Sequence, residues 1–294
     1  MKTPARISEF TNDRARTRFH TVYQQALTDL GPPTPRPVTA PTTYGDVTAY
    51  RFGPTEGTPV VLLPGAGGNT LSWHHYIAAL STHHPVITLD LLGEPGASHQ
   101  RTPITTTHDA TDALHQALDS LGLTHPHLVG MSNGGWLALQ HEHHHPGHAA
   151  GLTLIDPAGL GTISTRFLAW VIAGGLAALT PSPVRRRLAG PLGNATLRDD
   201  NLMKQVKVSL AFRRRLPGAT PLTDDELAAV TAPTLVLLGA RSQLYDASAV
   251  ADRIHRVMPH ARAEVIPDAT HDLPTRFPDL VTDRISMFLT AGHR

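Results

Sequence analysis

The sequence predicts an α/β domain: a mostly parallel sheet with helices on both faces, interrupted by a helical insertion that forms a cap. Three observations lead there. Short, almost wholly apolar runs such as Val60 to Leu63 and Val86 to Asp90 alternate with segments of helical periodicity, the pattern of strands buried on both faces. The run Gly130-Met131-Ser132-Asn133-Gly134-Gly135 joins one such strand to a helical pattern beginning near Trp136. From about residue 158 to 230 the alternation stops, the pattern turns helical and no good strand is found, and strand character returns at Thr234.

In chain order, residues 12–30 predict an amphipathic helix. Asn12 and Asp13 offer a cap, and Phe19, Val22, Tyr23, Ala26, Leu27 and Leu30 recur at helical spacing. Residues 31–41 hold five prolines, read as a stiff linker. Tyr44 to Val47 reads as a hairpin turn with Val47 to Phe52 as its second strand. Val60 to Leu63 is a buried strand that breaks at Pro64-Gly65-Ala66-Gly67-Gly68-Asn69, and a helix around Trp73, Ile77 and Leu80 follows. Val86 to Asp90 is the next strand, and Leu114, Leu118 and Leu121 mark a helix near 108–121. His127 to Gly130 and Gly151 to Asp156 are strands on either side of the helix after Gly135. The insertion contains a 13-residue apolar run, Phe167 to Leu179, and two arginine triplets, Arg185 to Arg187 and Arg213 to Arg215. The triplets read by default as a solvated face, and the apolar run as either a wall for a hydrophobic substrate or a helix packed on the core. Thr223 to Glu226 is a capping box. Strands at Thr234 to Leu238 and Ala263 to Ile266, helices at 247–258 and around Leu280 to Phe288, complete the chain. The organisation predicted is therefore an N-terminal helix and proline-rich linker over 1–40, a core over 41–157 and 231–294, and a cap over 158–230.

The 294 residues allow one large domain, and the formal net charge of +1 gives no electrostatic reason to expect nucleic acid. With no cysteine, disulfide and thiol chemistry are excluded. No run approaches the about 18 apolar residues of a membrane span, and the N-terminal residues lack a signal-peptide pattern. A cytoplasmic location is the expectation.

The chemistry centres on Ser132. Glycines two before and two after a serine, at a strand-to-helix turn, make the G-x-S-x-G nucleophile elbow, which places the hydroxyl at a helix N-terminus where developing negative charge is favoured. A serine needs a base to take its proton and a carboxylate to orient that base. His271 follows the last strand, in Pro267-Asp268-Ala269-Thr270-His271-Asp272, on the sheet edge where the elbow opens, and is the favoured base among 19 histidines. Asp246 is the only carboxylate in the loop Gly239 to Asp246 and is the favoured acid, with Asp156 as its rival at the end of the strand after the elbow helix. Asp268 and Asp272 read as loop residues. Backbone N–H groups of Ala66 and Asn133 are the expected oxyanion donors. A phosphate-binding reading of Pro64 to Asn69 fails for want of a Walker lysine and of G-x-G-x-x-G spacing. His141-Glu142-His143-His144-His145 matches H-E-x-x-H, but it is expected at the solvent-facing end of the elbow helix with no third ligand, so no metal is assigned.

With elbow, oxyanion loop, acid loop and histidine in order, residues 41–294 resemble the α/β-hydrolase superfamily. The match rests on Leu62 to Asn69, Asp90-Leu91-Leu92-Gly93-Glu94-Pro95-Gly96 and Gly130 to Gly135. The chain looks most like bacterial carboxylesterase-like members with a helical cap between the sixth and seventh strands. Pro64-Gly65 stands where members usually carry His-Gly, Ser242 where many carry the acid, and Asp272 where carbon–carbon hydrolases of the family often carry tryptophan. The resemblance implies the α/β-hydrolase fold and a serine hydrolase, without cofactor, that cleaves an ester of a small, hydrophobic substrate through an acyl-enzyme on Ser132. Two alternatives use the same site: a biosynthetic tailoring enzyme for acyl transfer, cyclisation or lyase chemistry, and a non-enzymatic ligand-binding member.

Overall fold

The computed structural model describes residues 5–31 and 35–290. Its first long helix, α1 (Asp13–Thr28), is capped by the Asn12 side chain on the Ala15 N–H and buries Phe19, Tyr23 and Leu27. The helix is no loose extension: the Tyr23 hydroxyl donates to both oxygens of the fully buried Asp90, at 2.9 and 2.8 Å.

The sheet opens with β1 (Pro37–Thr42) and β2 (Gly45–Phe52), an antiparallel hairpin. The expected linker therefore ends sooner than residue 40. Pro37 and Pro41 fit a strand because β1 lies at the sheet edge, where a proline lacks nothing that a neighbour needs. Pro32 and Pro33 of the expected linker lie outside the described residues. Next come β3 (Val60–Leu63), α2 (His74–Leu80), β4 (Val86–Asp90), α3 (Thr107–Ser120), β5 (His127–Met131), α4 (Asn133–His144) and β6 (Gly151–Ile155). The segment between β6 and β7, here called the cap, contributes α5 (Thr165–Ala178), α6 (Ser182–Leu188), α7 (Asp200–Ser209) and, at its end, α8 (Asp224–Ala228). Strand β7 (Thr234–Gly239), α9 (Ala247–Val257), β8 (Arg262–Ile266), α10 (Leu273–Arg276) and α11 (Pro278–Thr290) complete the core. Spatial order is β8-β7-β6-β5-β3-β4-β2-β1, with a two-residue strand His99–Gln100 beside β2. Pairing is parallel from β8 across to β4, and antiparallel beyond.

Alternation along the strands divides the core. Val61 and Leu63 of β3 face the layer of α3, α4 and α9, while Val60 and Leu62 face α2 and α11. One strand was not expected in the cap: Phe212–Arg213 pairs antiparallel with Glu9–Phe10, where Phe10 stacks edge-on against Phe212 at 4.9 Å. Two residues are too short for a periodicity to register in sequence, so this tie between the N-terminal segment and the cap was invisible. Among the described residues, no helix is long and apolar enough to cross a membrane.

Helix α4 corrects another expectation. It is buried on nearly all sides, and His141 and Glu142 are fully buried instead of facing solvent. Glu142 accepts the Gly147 and Ala149 N–H groups at 2.7 and 3.1 Å, so its carboxylate closes the turn after the helix. Burial, and then the positive potential of His145, His115, His148 and His144, pulls the His141 pKa down from 6.5 to about 3. The fold thus prefers the neutral ring. This contribution to stability is complete above pH 6.5 and is lost as pH falls toward 3. Stability is expected to drop by about 2 kcal/mol between pH 7 and pH 5 from this group alone. Urea unfolding of wild type and His141→Phe at pH 8 and pH 5 checks it: the variant should lose less stability on acidification, by about that amount.

Candidate active site

Strand β5 ends by turning straight into α4, and Ser132 sits at the turn with φ 50° and ψ −116°. A non-glycine residue there is strained by about 1–3 kcal/mol. The turn is held by the Ser132 N–H on Ile155 O at 3.0 Å, and by Ser132 O, which accepts from Trp136 and Ala158. The glycines are required by contact. A Cβ on Gly134 would lie 2.2 Å from the Leu63 carbonyl oxygen, and one on Gly130 would lie 2.4 Å from that of Gly134. The elbow is therefore wedged against the end of β3, where the Pro64 to Asn69 loop begins.

His271 lies after β8 and its Nε2 stands 3.0 Å from Ser132 Oγ. Its Nδ1 is 2.6 Å from Asp156 Oδ2. Carboxylate oxygens only accept, so Nδ1 carries the proton and Nε2 faces the serine hydroxyl as acceptor. Asp156 follows β6 with φ 42°. It also accepts the Gly239 N–H on Oδ1 at 3.0 Å and the Ser242 hydroxyl on Oδ2 at 2.6 Å. The imidazole and carboxylate side chains are 9% and 1% exposed, so this pair is shielded from water.

The acid expected at Asp246 is thereby corrected. Asp246 is exposed and caps α9, accepting Ser248 and Ala249 N–H groups at 3.0 and 3.1 Å. An aspartate just before Ala-Ser-Ala at a helix start does that work. Asp156 reaches the histidine because β6 lies between β5 and β7, which puts its C-terminal end beside both the elbow and the β7 loop. Ser242, at the position where the resemblance leads one to expect an acid, instead donates its hydroxyl to Asp156 Oδ2.

The remaining expectations divide. Asn133 opens α4, so its N–H has no intrahelical acceptor. Gly65 lies directly against Ser132, since a Cβ there would be 3.4 Å from Ser132 Cβ. Ala66 is exposed on the same loop. That loop has a support the motif alone did not disclose: buried Glu94 accepts the Gly67 N–H at 2.8 Å and pairs with Arg214 at 2.7 Å. Burial pushes the Glu94 carboxyl up, with Arg214 opposing. One triplet arginine thus serves the site from the cap. In the other triplet, Arg185 is buried and both Arg185 and Arg186 bind Asp200.

The cap reaches the histidine in two ways. Phe167 and Trp170 of α5 point edge-on at the His271 ring, with centroids 4.9 and 5.8 Å away. Leu168, Ile172, Leu176 and Leu179 of the same apolar run are exposed, so only one face of α5 serves the site. Asp272, expected as a plain loop residue, is buried and accepts both the N–H and the hydroxyl of Thr196 at 2.8 Å. Burial pushes its carboxyl up, opposed by those Thr196 bonds. Thr270 donates to Gly193 O at 2.7 Å. The loop that carries His271 is thus pinned to the cap on either side of the histidine. Asp268 is exposed, 3.9 Å from Arg241.

Residues 60–284 match the model of the alpha/beta hydrolase family. The chain is 25% identical over 282 residues to the uncharacterized carboxylesterase nap of Bacillus subtilis, covering 93% of each chain. It is 24% identical over 283 residues to the carboxylesterase YbfK of the same organism, covering 94% of each. Among solved structures, the naproxen esterase of Bacillus subtilis superposes with a TM-score of 0.82 at 23% identity, over 95% of this chain and 99% of that one.

Proposed function

Because the chain belongs to the alpha/beta hydrolase family, we propose that it is a carboxylic ester hydrolase acting through an acyl-enzyme on Ser132. One observation carries the reading: the continuous contact from Ser132 Oγ through His271 to Asp156, at 3.0 and 2.6 Å. Relatives named as carboxylesterases along nearly the whole chain support it.

His271 takes the proton as Ser132 attacks the acyl carbonyl, and Asp156 stabilises the imidazolium that results. The N–H groups of Asn133 and Ala66 hold the oxyanion. His271 then passes its proton to the leaving alcohol, and water repeats the sequence to release the acid. Glu94 positions the oxyanion loop by its bond to Gly67. Phe167 and Trp170 cover the histidine with apolar edges, so its Nδ1 is oriented by Asp156.

Substrate size follows from the space beside Asn133. The cavity there holds about 40 Å³ between Leu92, Ile104, Leu114, Trp136, Leu137 and Leu216. That is room for about three water molecules and not for an extended alkyl chain. A small hydrophobic acyl group fits only near its mouth, and a long one has to displace Leu216. Rates on p-nitrophenyl acetate, butyrate, octanoate and laurate test both function and size. The expected result is hydrolysis with kcat/KM falling at least about tenfold from butyrate to laurate, a loss worth about 1.4 kcal/mol, and Leu216→Ala recovering part of it. Absence of hydrolysis on the whole series would count against an esterase.

A further inference from the structure

We propose that His74, His75 and Asp199 form a site for a divalent transition-metal ion such as zinc, which staples the cap to the core. His74 and His75 open α2, directly after the oxyanion loop and its following turn, while Asp199 caps α7 in the cap. The two Nε2 atoms lie 3.0 and 3.6 Å from one oxygen, Asp199 Oδ2, and all three donor atoms lie within 4.8 Å of one another. Zinc at about 2.0–2.1 Å from nitrogen and oxygen ligands separates them by about 3.3 Å when tetrahedral. The two observed separations bracket that value.

The surrounding bonds favour a cation over a plain ion pair. His74 Nδ1 is 2.9 Å from Leu71 O, which only accepts. The neutral ring therefore carries its proton on Nδ1 and turns the Nε2 lone pair toward Asp199, the arrangement found for metal-bound histidines whose other nitrogen bonds a carbonyl. Asp199 Oδ1 is held by the Asn201 and Leu202 N–H groups, both at 2.9 Å, which leaves Oδ2 for the histidines. Protons alone satisfy the cluster poorly. The ring centroids lie 3.7 Å apart, with the planes tilted by 41°, so charging both sets two cations side by side at short range, while one dication serves all three donors at once. Imidazole with carboxylate suits zinc, copper or nickel. His75 is half-exposed, which leaves solvent to complete the coordination.

The test has to separate this cluster from a second one, His115, Asp119 and His148. The full chain carrying His115→Asn and His148→Asn serves as background, with zinc chloride as the probe. Equilibrium dialysis is expected to give one zinc per chain, and zinc is expected to slow amide exchange over residues 199–203. Adding Asp199→Asn, which keeps the helix cap, or His75→Gln should weaken zinc binding at least about tenfold and abolish the slowing, with an unchanged circular dichroism spectrum. The proposal is overturned if the background chain binds no zinc. It is equally overturned if affinity survives both added substitutions.

Discussion

Asp156→Asn is expected to lower kcat for ester hydrolysis about ten-thousand-fold with little change in KM, because an amide stabilises the wrong imidazole tautomer and cannot balance the imidazolium. The asparagine NH₂ is a donor facing Nδ1, which drives the His271 proton toward Nε2 and against the serine. Asp246→Ala is the paired control. It removes two capping bonds at the start of α9 and is expected to cost about 1 kcal/mol of stability while kcat stays within about twofold of wild type, a difference under about 0.4 kcal/mol. Steady-state kinetics and urea unfolding on the two variants give opposite patterns. Activity lost in Asp246→Ala and kept in Asp156→Asn would sink the assignment of the acid.

Ser132→Ala carries the second large effect. Removing the hydroxyl in contact with His271 Nε2 is expected to reduce kcat by on the order of a million-fold. Alanine keeps its Cβ, so the strain at φ 50° persists and unfolding should shift little. A substrate analogue should still bind, since the apolar lining of the cavity is untouched. A structural serine would show the reverse: stability lost and hydrolysis retained.

Much of this was legible in the sequence. Each parallel strand, from β3 to β8, was expected to within a residue or so, because strands buried on both faces leave an apolar run that surface strands lack; the edge strand β1, rich in proline, instead reads as linker, and β2 starts two residues before the expected Val47. Ser132 and His271 were legible because one stands in a turn that tolerates few sequences and the other follows the last strand. Asp246 stands in the loop after β7, where spacing favours an acid, but its carboxylate caps α9 and does not reach His271. The reach of Asp156 depends on β6 lying next to β5 in the sheet, and on Ser242 turning its hydroxyl to Oδ2. Neither is written in local periodicity. The same holds for Glu94 and Gly67, 27 residues apart, and for the cap contacts of Phe167, Trp170, Thr270 and Asp272. Long-range hydrogen bonds of this kind set the shape of the site, and sequence spacing does not encode them. His141 shows the converse error: a polar pattern near a helix end suggested solvent, but α4 is enclosed by the sheet and by α3.

The proposed acyl-enzyme on Ser132 is tested most directly by mass spectrometry of the folded chain after reaction with a fluorophosphonate. A serine activated by His271 and Asp156 is expected to take up one phosphonyl group, mapped by peptide fragmentation to Ser132, with labelling abolished in Ser132→Ala and slowed strongly in Asp156→Asn. A folded chain that stays unmodified, or one modified at a residue other than Ser132, would contradict the account.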